Sequence, residues 1–313
     1  MNFKSRTSRN IENVYSITNL TLDASNRTDT ETNNLLSKAA TGTATVAVGT
    51  AGQATEAEID SMVTYVANIA TDGITGTALT VTDTQFVTLN SKLNSSITTL
   101  TVNAAGATAA ELTAISTAIT ASATKVDEIS NLVITAATQT DTETANLLGK
   151  AVATATGKAT VVATGATAAE VASMVTAISA TKIADYGITG TLPITSAVNG
   201  TNAADITSLL AKYVGVTATV NANSMTSTNT TGQLDVVALP ANIAKIGTIT
   251  GVMALTANQD ATELAALFSK DDAVADATVT AIGGGAGVAT VLAANAGKIA
   301  TNGITGAIML PTL

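Results

Sequence analysis

A twelve-residue segment recurs almost unchanged along this sequence. TDTETNNLLSKA fills Thr28–Ala39, TDTETANLLGKA fills Thr140–Ala151, and ten of the twelve positions agree. DGITGT at Asp72–Thr77 is likewise matched by YGITGT at Tyr186–Thr191. The period of about 115 residues predicts a repeat architecture, in which each unit buries its apolar face against a neighbour.

A weaker third copy follows, with DATELAALFSK from Asp260 and NGITGA from Asn302. Inside each long repeat lies a shorter one of roughly 23 to 34 residues, a length typical of solenoid coils. Alternating β-branched residues predict a strand in each coil. These strands are expected to begin near Ile17, Ala44, Ile74, Ile97, Asn131, Ala159, Ile188, Val216, Ile249, Ala277 and Ile304.

Helices are predicted between the strands, because a Thr or Asp repeatedly precedes a Glu or Gln by three residues, the spacing of a capping box. The pairs are Thr28/Glu31, Thr55/Glu58, Thr82/Gln85, Thr108/Glu111, Thr140/Glu143, Thr167/Glu170 and Asp260/Glu263. Lysines near the predicted helix ends complement the helix dipole, which we favour over a ladder of ligand-binding charges. These are Lys38, Lys92, Lys150, Lys182, Lys212, Lys245, Lys270 and Lys298.

The predicted fold is α/β: a right-handed α/β solenoid of about ten strand–helix coils, with a parallel sheet on one face and helices on the other. The 60 Thr and 60 Ala residues suit this architecture, because Thr fits strands and N-caps and Ala lets helix and sheet approach closely. We expect a basic N-terminal arm at residues 1–16 and a repeat domain at residues 17–313. The long repeats would span residues 17–130, 131–247 and 248–313.

Composition argues against an enzyme, because the chain has no His, Cys or Trp. A Ser–His–Asp triad, a thiolate nucleophile and an ordinary zinc or haem site are thereby excluded, and no cofactor is predicted. The net charge of −9 disfavours a nucleic-acid partner, and no apolar run is long enough for a membrane span. Calcium binding by the acidic pairs Asp29/Glu31, Asp141/Glu143 and Asp271/Asp272 stays a minor alternative, because capping already explains most of the acidic residues.

The arm has two interpretations that remain open. It contains the cations Lys4, Arg6 and Arg9 against Glu12, whereas the rest of the chain is acidic. It is either a solvated basic tail or a segment that docks on the acidic body of a neighbouring molecule. The second interpretation rests on the large apolar residues Phe3, Ile11, Val14 and Tyr15.

The two ends of the repeat domain favour self-assembly. Neither end shows a capping helix, and the last residues, ITGAIMLPTL, read as an apolar strand without a polar cover. An exposed parallel edge pairs readily with another chain, and a head-to-tail contact that does not close produces a filament. The predicted subunit interface consists of Phe3, Arg6, Arg9, Ile11, Val14, Tyr15, Ile304, Ile308, Met309 and Leu310.

The Thr/Ala-rich repeats with their T-D-T-type caps resemble repeat regions of bacterial secreted surface proteins, of the cyanobacterial haemolysin-like and S-layer kinds. The resemblance implies an extracellular or cell-surface location. We therefore expect a structural subunit that assembles with itself, head to tail, into an extracellular filament or surface layer. The alternative is a monomeric adhesin or repeat module that binds a glycan, such as cell-surface polysaccharide, or another surface. A solenoid enzyme acting on polysaccharide is disfavoured by the sparse acidic residues and few aromatic rings.

Overall fold

The computed structural model describes residues 14–50, 54–122, 125–196, 203–227, 232–256, 259–272, 274–280 and 286–306. The chain divides into two compact regions, which are described separately. The first region runs to Val133 and includes Gly149–Lys158, and the second comprises Ile134–Leu148 and the chain from Ala159 onward.

The described residues form five strand–helix–strand–helix–strand modules, each with one parallel three-stranded sheet. Module 1 contains β1 Thr21–Asp23, α1 Asp29–Lys38, β2 Ala44–Ala47, α2 Glu56–Thr64 and β3 Ile69–Thr75. Module 2 contains β4 Ala78–Thr82, α3 Asp83–Leu89, β5 Thr99–Asn103, α4 Ala109–Ala121 and β6 Glu128–Ser130. Module 3 contains β7 Val133–Thr135, α5 Asp141–Lys150, β8 Ala159–Val162, α6 Ala168–Ser179 and β9 Ile183–Thr189.

Modules 4 and 5 follow the same order, except that two short helices replace the second helix of module 4. Module 4 contains β10 Pro193–Thr195, α7 Ala203–Lys212, β11 Ala218–Asn221, α8 Gln233–Ala238, α9 Pro240–Ile243 and β12 Ile246–Thr250. Module 5 contains β13 Ala254–Thr256, α10 Ala261–Lys270, β14 Ala277–Thr280, α11 Ala286–Ala294 and β15 Ile299–Thr305.

The mixed α/β fold with parallel strands is confirmed, but the strands lie in five small sheets instead of one. The division follows from the link between modules. Only Gly76 and Thr77 separate β3 from β4, and Gly76 has a φ of 148°. The third strand of one module is thus followed at once by the first strand of the next sheet. The structural period is therefore about half the 115-residue repeat seen in the sequence.

The GITG motif marks the third strands of alternate modules. Before it, Asp72 takes the left-handed conformation with a φ of 54°, and the register of β2 against β3 shifts at this point. A Cβ on Gly73 would lie 2.8 Å from the Ala70 carbonyl oxygen and 2.9 Å from that of Ala44, so only glycine fits. Gly187 and Gly303 occupy the corresponding positions in β9 and β15.

All seven predicted capping boxes are present. In each, the N-cap side chain accepts a bond from the third helical N–H, and the Glu or Gln side chain accepts one from the N-cap N–H. Thr167 and Glu170 of α6 show the pattern, with N···O distances of 2.9 and 3.2 Å. The local sequence therefore fixes where these helices begin.

Some of the predicted lysines lie at the end of their own helix, and others bond to the end of a different helix. Lys38, Lys150, Lys212 and Lys270 lie in the last turns of α1, α5, α7 and α10. Two other lysines donate hydrogen bonds to the end of an earlier helix of the same module. Lys245 donates to the carbonyls of Leu210 and Tyr213 at the end of α7, and Lys298 donates to those of Phe268 and Asp271 at the end of α10. Such side chains satisfy carbonyls that a helix end leaves without partners.

Candidate assembly surface

The third strand of every module carries an isoleucine that pairs with a valine of the second strand. The pairs are Val46/Ile74, Val102/Ile129, Val161/Ile188, Val220/Ile249 and Val279/Ile304. The first four isoleucines are completely buried. Each of their carbonyls accepts an N–H from the segment after the next helix, at N···O distances of 2.8–3.0 Å. The donors are Asn94, Val152, Val214 and Asp272, respectively.

Ile304 breaks this pattern. It lies on β15, at the edge of the β13–β14–β15 sheet, and 39% of its surface is exposed. No described residue pairs with the outer edge of β15. Within the part of the chain that the structure describes, the position that the other modules use to join the next segment therefore presents an apolar side chain and a strand edge without a pairing partner. Ile308, Met309 and Leu310, which were predicted to share this interface, lie outside the described residues.

The N-terminal half of the predicted interface lies in the arm, of which the structure describes only residues 14–16. Val14 is half-buried and Tyr15 is fully exposed. The chain is then fixed at Ile17, whose N–H donates to the Lys38 carbonyl and whose carbonyl accepts the Ala40 N–H, both at 2.7 Å. Phe3, Arg6, Arg9 and Ile11 lie outside the described residues. Val14 and Tyr15 belong to the first compact region and Ile304 to the second.

The capping acids form an additional network that the sequence did not predict. Glu58 and Glu170 are almost completely buried, and their second oxygens accept bonds from a Thr on the preceding helix. Thr32 donates to Glu58 at 3.3 Å and Thr144 donates to Glu170 at 2.7 Å. Each carboxylate therefore has a partner for both oxygens, one in its own helix cap and one on the preceding helix. These bonds join α1 to α2 and α5 to α6, and they offset the cost of burying the charge.

Module 2 has a variant of this network with two neighbouring carboxyl groups. Hydrogen bonds from Thr108 and Thr84 lower the pKa of Glu111 to about 2. Asp83, at the start of α3, is buried, and burial together with the charge of Glu111 raises its pKa. The two environments therefore move the pKa values of adjacent acids in opposite directions.

Asp271, at the end of α10, is a further acid whose burial the sequence did not predict. It is only 7% exposed, and neither carboxylate oxygen has a hydrogen-bond partner among the described residues. Burial raises its pKa, and the Lys298 ammonium acts in the opposite direction. The sequence showed the Asp271–Asp272 pair, but only the strand register reveals that one member is buried.

The first compact region contains a cleft of about 460 Å³ near the end of β3. Asp72, Asn94, Thr98, Lys125 and Asp127 contribute its polar lining. The Asn94 amide is held by the Asp72 carbonyl at 3.1 Å, and Asp127 accepts the Leu100 N–H at 2.6 Å. The cleft is thus a polar recess with several hydrogen-bonding groups already oriented.

Across the described ranges, no three acidic side chains come together in a way that could hold a metal ion. In the same part of the chain, no helix combines the length and apolar character needed to cross a membrane.

Comparisons with known proteins give no further assignment. No protein-family model matches this sequence, and no curated protein or solved structure matches it significantly.

Proposed function

We propose that this chain is a structural subunit that assembles head to tail into an extracellular filament or surface layer. The observation that supports the proposal most directly is Ile304. At the corresponding place in four other modules, the isoleucine is buried and its strand continues into contact with the next segment. A second copy that covered β15 would bury Ile304 and pair its open edge.

In this proposal the five modules form one right-handed solenoid of about ten strand–helix coils. Its support is the constant register of the third-strand isoleucines, which recur every 55 to 61 residues from Ile74 to Ile304. Right-handed crossovers are the rule for parallel strands joined through a helix. Small-angle scattering tests this geometry, since a continuous solenoid gives an elongated particle and two independent bodies do not.

The assembly itself is tested with the full chain and a charged substitution at the edge. We expect the wild-type protein to form concentration-dependent oligomers in sedimentation velocity, and Ile304→Asp to weaken the association at least tenfold. Val87→Asp is the matched control, because Val87 is 44% exposed on α3, in the other compact region. A wild-type chain that stays monomeric at all concentrations contradicts the proposal, as does equal weakening by both variants.

The cleft near β3 favours a second candidate, a monomeric adhesin that binds a surface polysaccharide. Asp72, Asn94, Lys125 and Asp127 offer the mixture of donors and acceptors that sugar hydroxyls require. Calorimetric titration with neutral and acidic oligosaccharides tests this candidate, with Asn94→Ala as the variant and Asn90→Ala as a control. Binding by the monomer that is lost only in Asn94→Ala would favour the adhesin.

A further inference from the structure

Asp271 occupies a register position that holds an uncharged residue in all the other modules. A residue that follows the first helical segment forms a parallel bridge to an isoleucine earlier in the chain, and the corresponding residues are Ala39, Leu93, Ala151 and Tyr213. All four are buried. In module 5 the same bridge pairs Ile249 with Asp271, so a carboxyl group is buried where the fold otherwise places an uncharged side chain.

This carboxyl group lacks the hydrogen bonds that a buried acid normally has. Neither of its oxygens has a partner among the described residues, and the same is true of Oδ1 of Asp276. Lys298 is the nearby cation, but its ammonium group donates to the backbone carbonyls of Phe268 and Asp271. A buried acid of this kind is strongly destabilising unless a donor or a cation reaches it.

The surface around Asp271 combines negative charge with an apolar side chain. Asp272 is exposed, Val274 is 54% exposed, and Asp276 lies two residues further on. Among the described residues these acids are not arranged as metal ligands. A positively charged side chain would supply both the charge and the hydrogen-bond donors that the Asp271 carboxylate lacks.

We propose that the Asp271 carboxylate is an anchor site for an arginine of the N-terminal arm of a second copy, with Asp272, Val274 and Asp276 completing the docking surface. This inference rests on the proposed function and specifies one of its contacts. The two surfaces are complementary, since the arm carries Arg6 and Arg9 together with the apolar Phe3 and Ile11.

Arginine is the donor that fits best. Its planar guanidinium presents paired N–H groups that match both oxygens of one carboxylate, whereas the lysine ammonium is a point charge. The chain has three arginines, and Arg27 already has an interaction within its own region. Arg6 and Arg9 are therefore the candidates, because the long apolar stem of an arginine can lie against apolar surface while its charged head extends toward a buried acid.

The test measures binding of a fluorescent peptide, identical to residues 1–16, to the full chain by fluorescence anisotropy. We expect Asp271→Ala to weaken peptide binding at least tenfold, and a peptide with Arg6→Gln and Arg9→Gln to lose a similar factor. Glu128→Gln removes an exposed acid on β6 and should leave binding unchanged. Asp271→Ala should fold, because alanine occupies this register position in modules 1 and 3, and circular dichroism verifies this.

The possible results distinguish a failure of the anchor site from a failure of the proposed assembly. Equal binding to wild type and Asp271→Ala, or no binding of the peptide at all, overturns the anchor site even if the chain forms filaments. Peptide binding that depends on Asp271 in a chain that never oligomerises supports the site and contradicts the filament. Weaker binding at high salt is also expected, because the contact joins opposite charges.

Discussion

Glu170 in module 3 and Asp271 in module 5 are both buried carboxyl groups, yet their surroundings are opposite. Glu170 accepts the Thr167 N–H with one oxygen and the Thr144 hydroxyl with the other. Asp271 has no partner for either oxygen among the described residues. The same chemical group thus joins two helices in one module and remains unsatisfied in another.

Buried acids in this chain thus differ in whether their hydrogen-bond network is complete. Where a Thr on one helix faces a capping Glu on the next, the network is complete and repeats, as Thr32 and Glu58 show. Module 5 lacks this arrangement, since α11 has no acidic residue in its first turn. A complete network indicates a structural role, and an incomplete one indicates that a further partner is needed.

The largest expected effect comes from breaking the complete network. Glu170→Ala removes the cap of α6 and leaves the Thr144 hydroxyl without its acceptor. We expect a loss of about 3 kcal/mol in the free energy of unfolding, because charged hydrogen bonds and a helix cap are lost together. Urea denaturation followed by circular dichroism measures it.

Glu31→Ala serves as the control for this prediction. Glu31 also caps its helix, accepting the Thr28 N–H at 3.1 Å, but it is only half-buried. Its loss should cost about 1 kcal/mol. Equal losses for the two variants would show that burial and the link between helices add nothing to the cap.

A substitution of Asp271 should increase the free energy of unfolding, in contrast to Glu170→Ala. Asp271→Ala removes an unsatisfied buried acid and should raise the free energy of unfolding of monomeric protein by about 1 to 2 kcal/mol near neutral pH. A decrease in stability would show that the carboxylate already has a partner within the chain. Urea titrations of dilute protein, in which assembly is suppressed, measure the change.

The effect of Asp271 should also depend on pH. Its pKa is raised in the folded state above the ordinary value of 3.8, so the folded chain binds the proton more tightly than the unfolded chain does. Stability is therefore highest below that value and falls as the pH rises through the folded-state pKa. The gain from Asp271→Ala should be smallest in acid and grow toward neutral pH.

Glu111 should behave in the reverse manner. Its pKa is lowered from 4.5 to about 2, so its stabilising contribution is present above 4.5 and disappears as the pH falls through about 2. Carbon-detected NMR titration should give a midpoint of about 2 for Glu111 and a midpoint above 3.8 for its neighbour Asp83. Ordinary midpoints for both would contradict the hydrogen-bond network described for this pair.

The smallest effect is expected at Lys298. Lys298→Met keeps the apolar stem but removes the donor to the Phe268 and Asp271 carbonyls, and should cost about 0.5 kcal/mol. Thermal melts are sensitive enough to detect it, with Lys38→Met as a control on α1. A loss above that of Glu31→Ala would mean that the charge of Lys298 on the Asp271 carboxylate contributes more to stability than its bonds to the two carbonyls.

The sequence predicted the features that depend on neighbouring residues. Capping boxes need only a Thr or Asp and an acid or amide three residues later, so all seven could be recognised. The strands β4, β10 and β13 were missed, because they contain only three to five residues and follow another strand almost directly. The strand β6 was missed because it has three residues and is followed almost directly by β7. The shorter structural period is hard to recognise in the sequence, because equivalent positions hold different residues. The positive-φ residue that follows the third strand is Gly76 in module 1 and Asn131 in module 2.

The features that matter most for the candidate surface depend on contacts between distant residues. Ile304 has the same sequence context as Ile74 and Ile188, and only the sheet shows that it alone is exposed. The Asp271–Asp272 pair does not reveal which carboxyl is buried. The predicted interface and the division into arm and repeat domain stay predictions.

Hydrogen exchange measured over a range of protein concentrations tests the central claim most directly. If molecules join head to tail through β15, the amides around Ile304 and Thr305 should exchange more slowly as concentration rises, while those of β12 stay unchanged. Exchange of β15 that is independent of concentration, in a sample that is demonstrably oligomeric, would contradict the account.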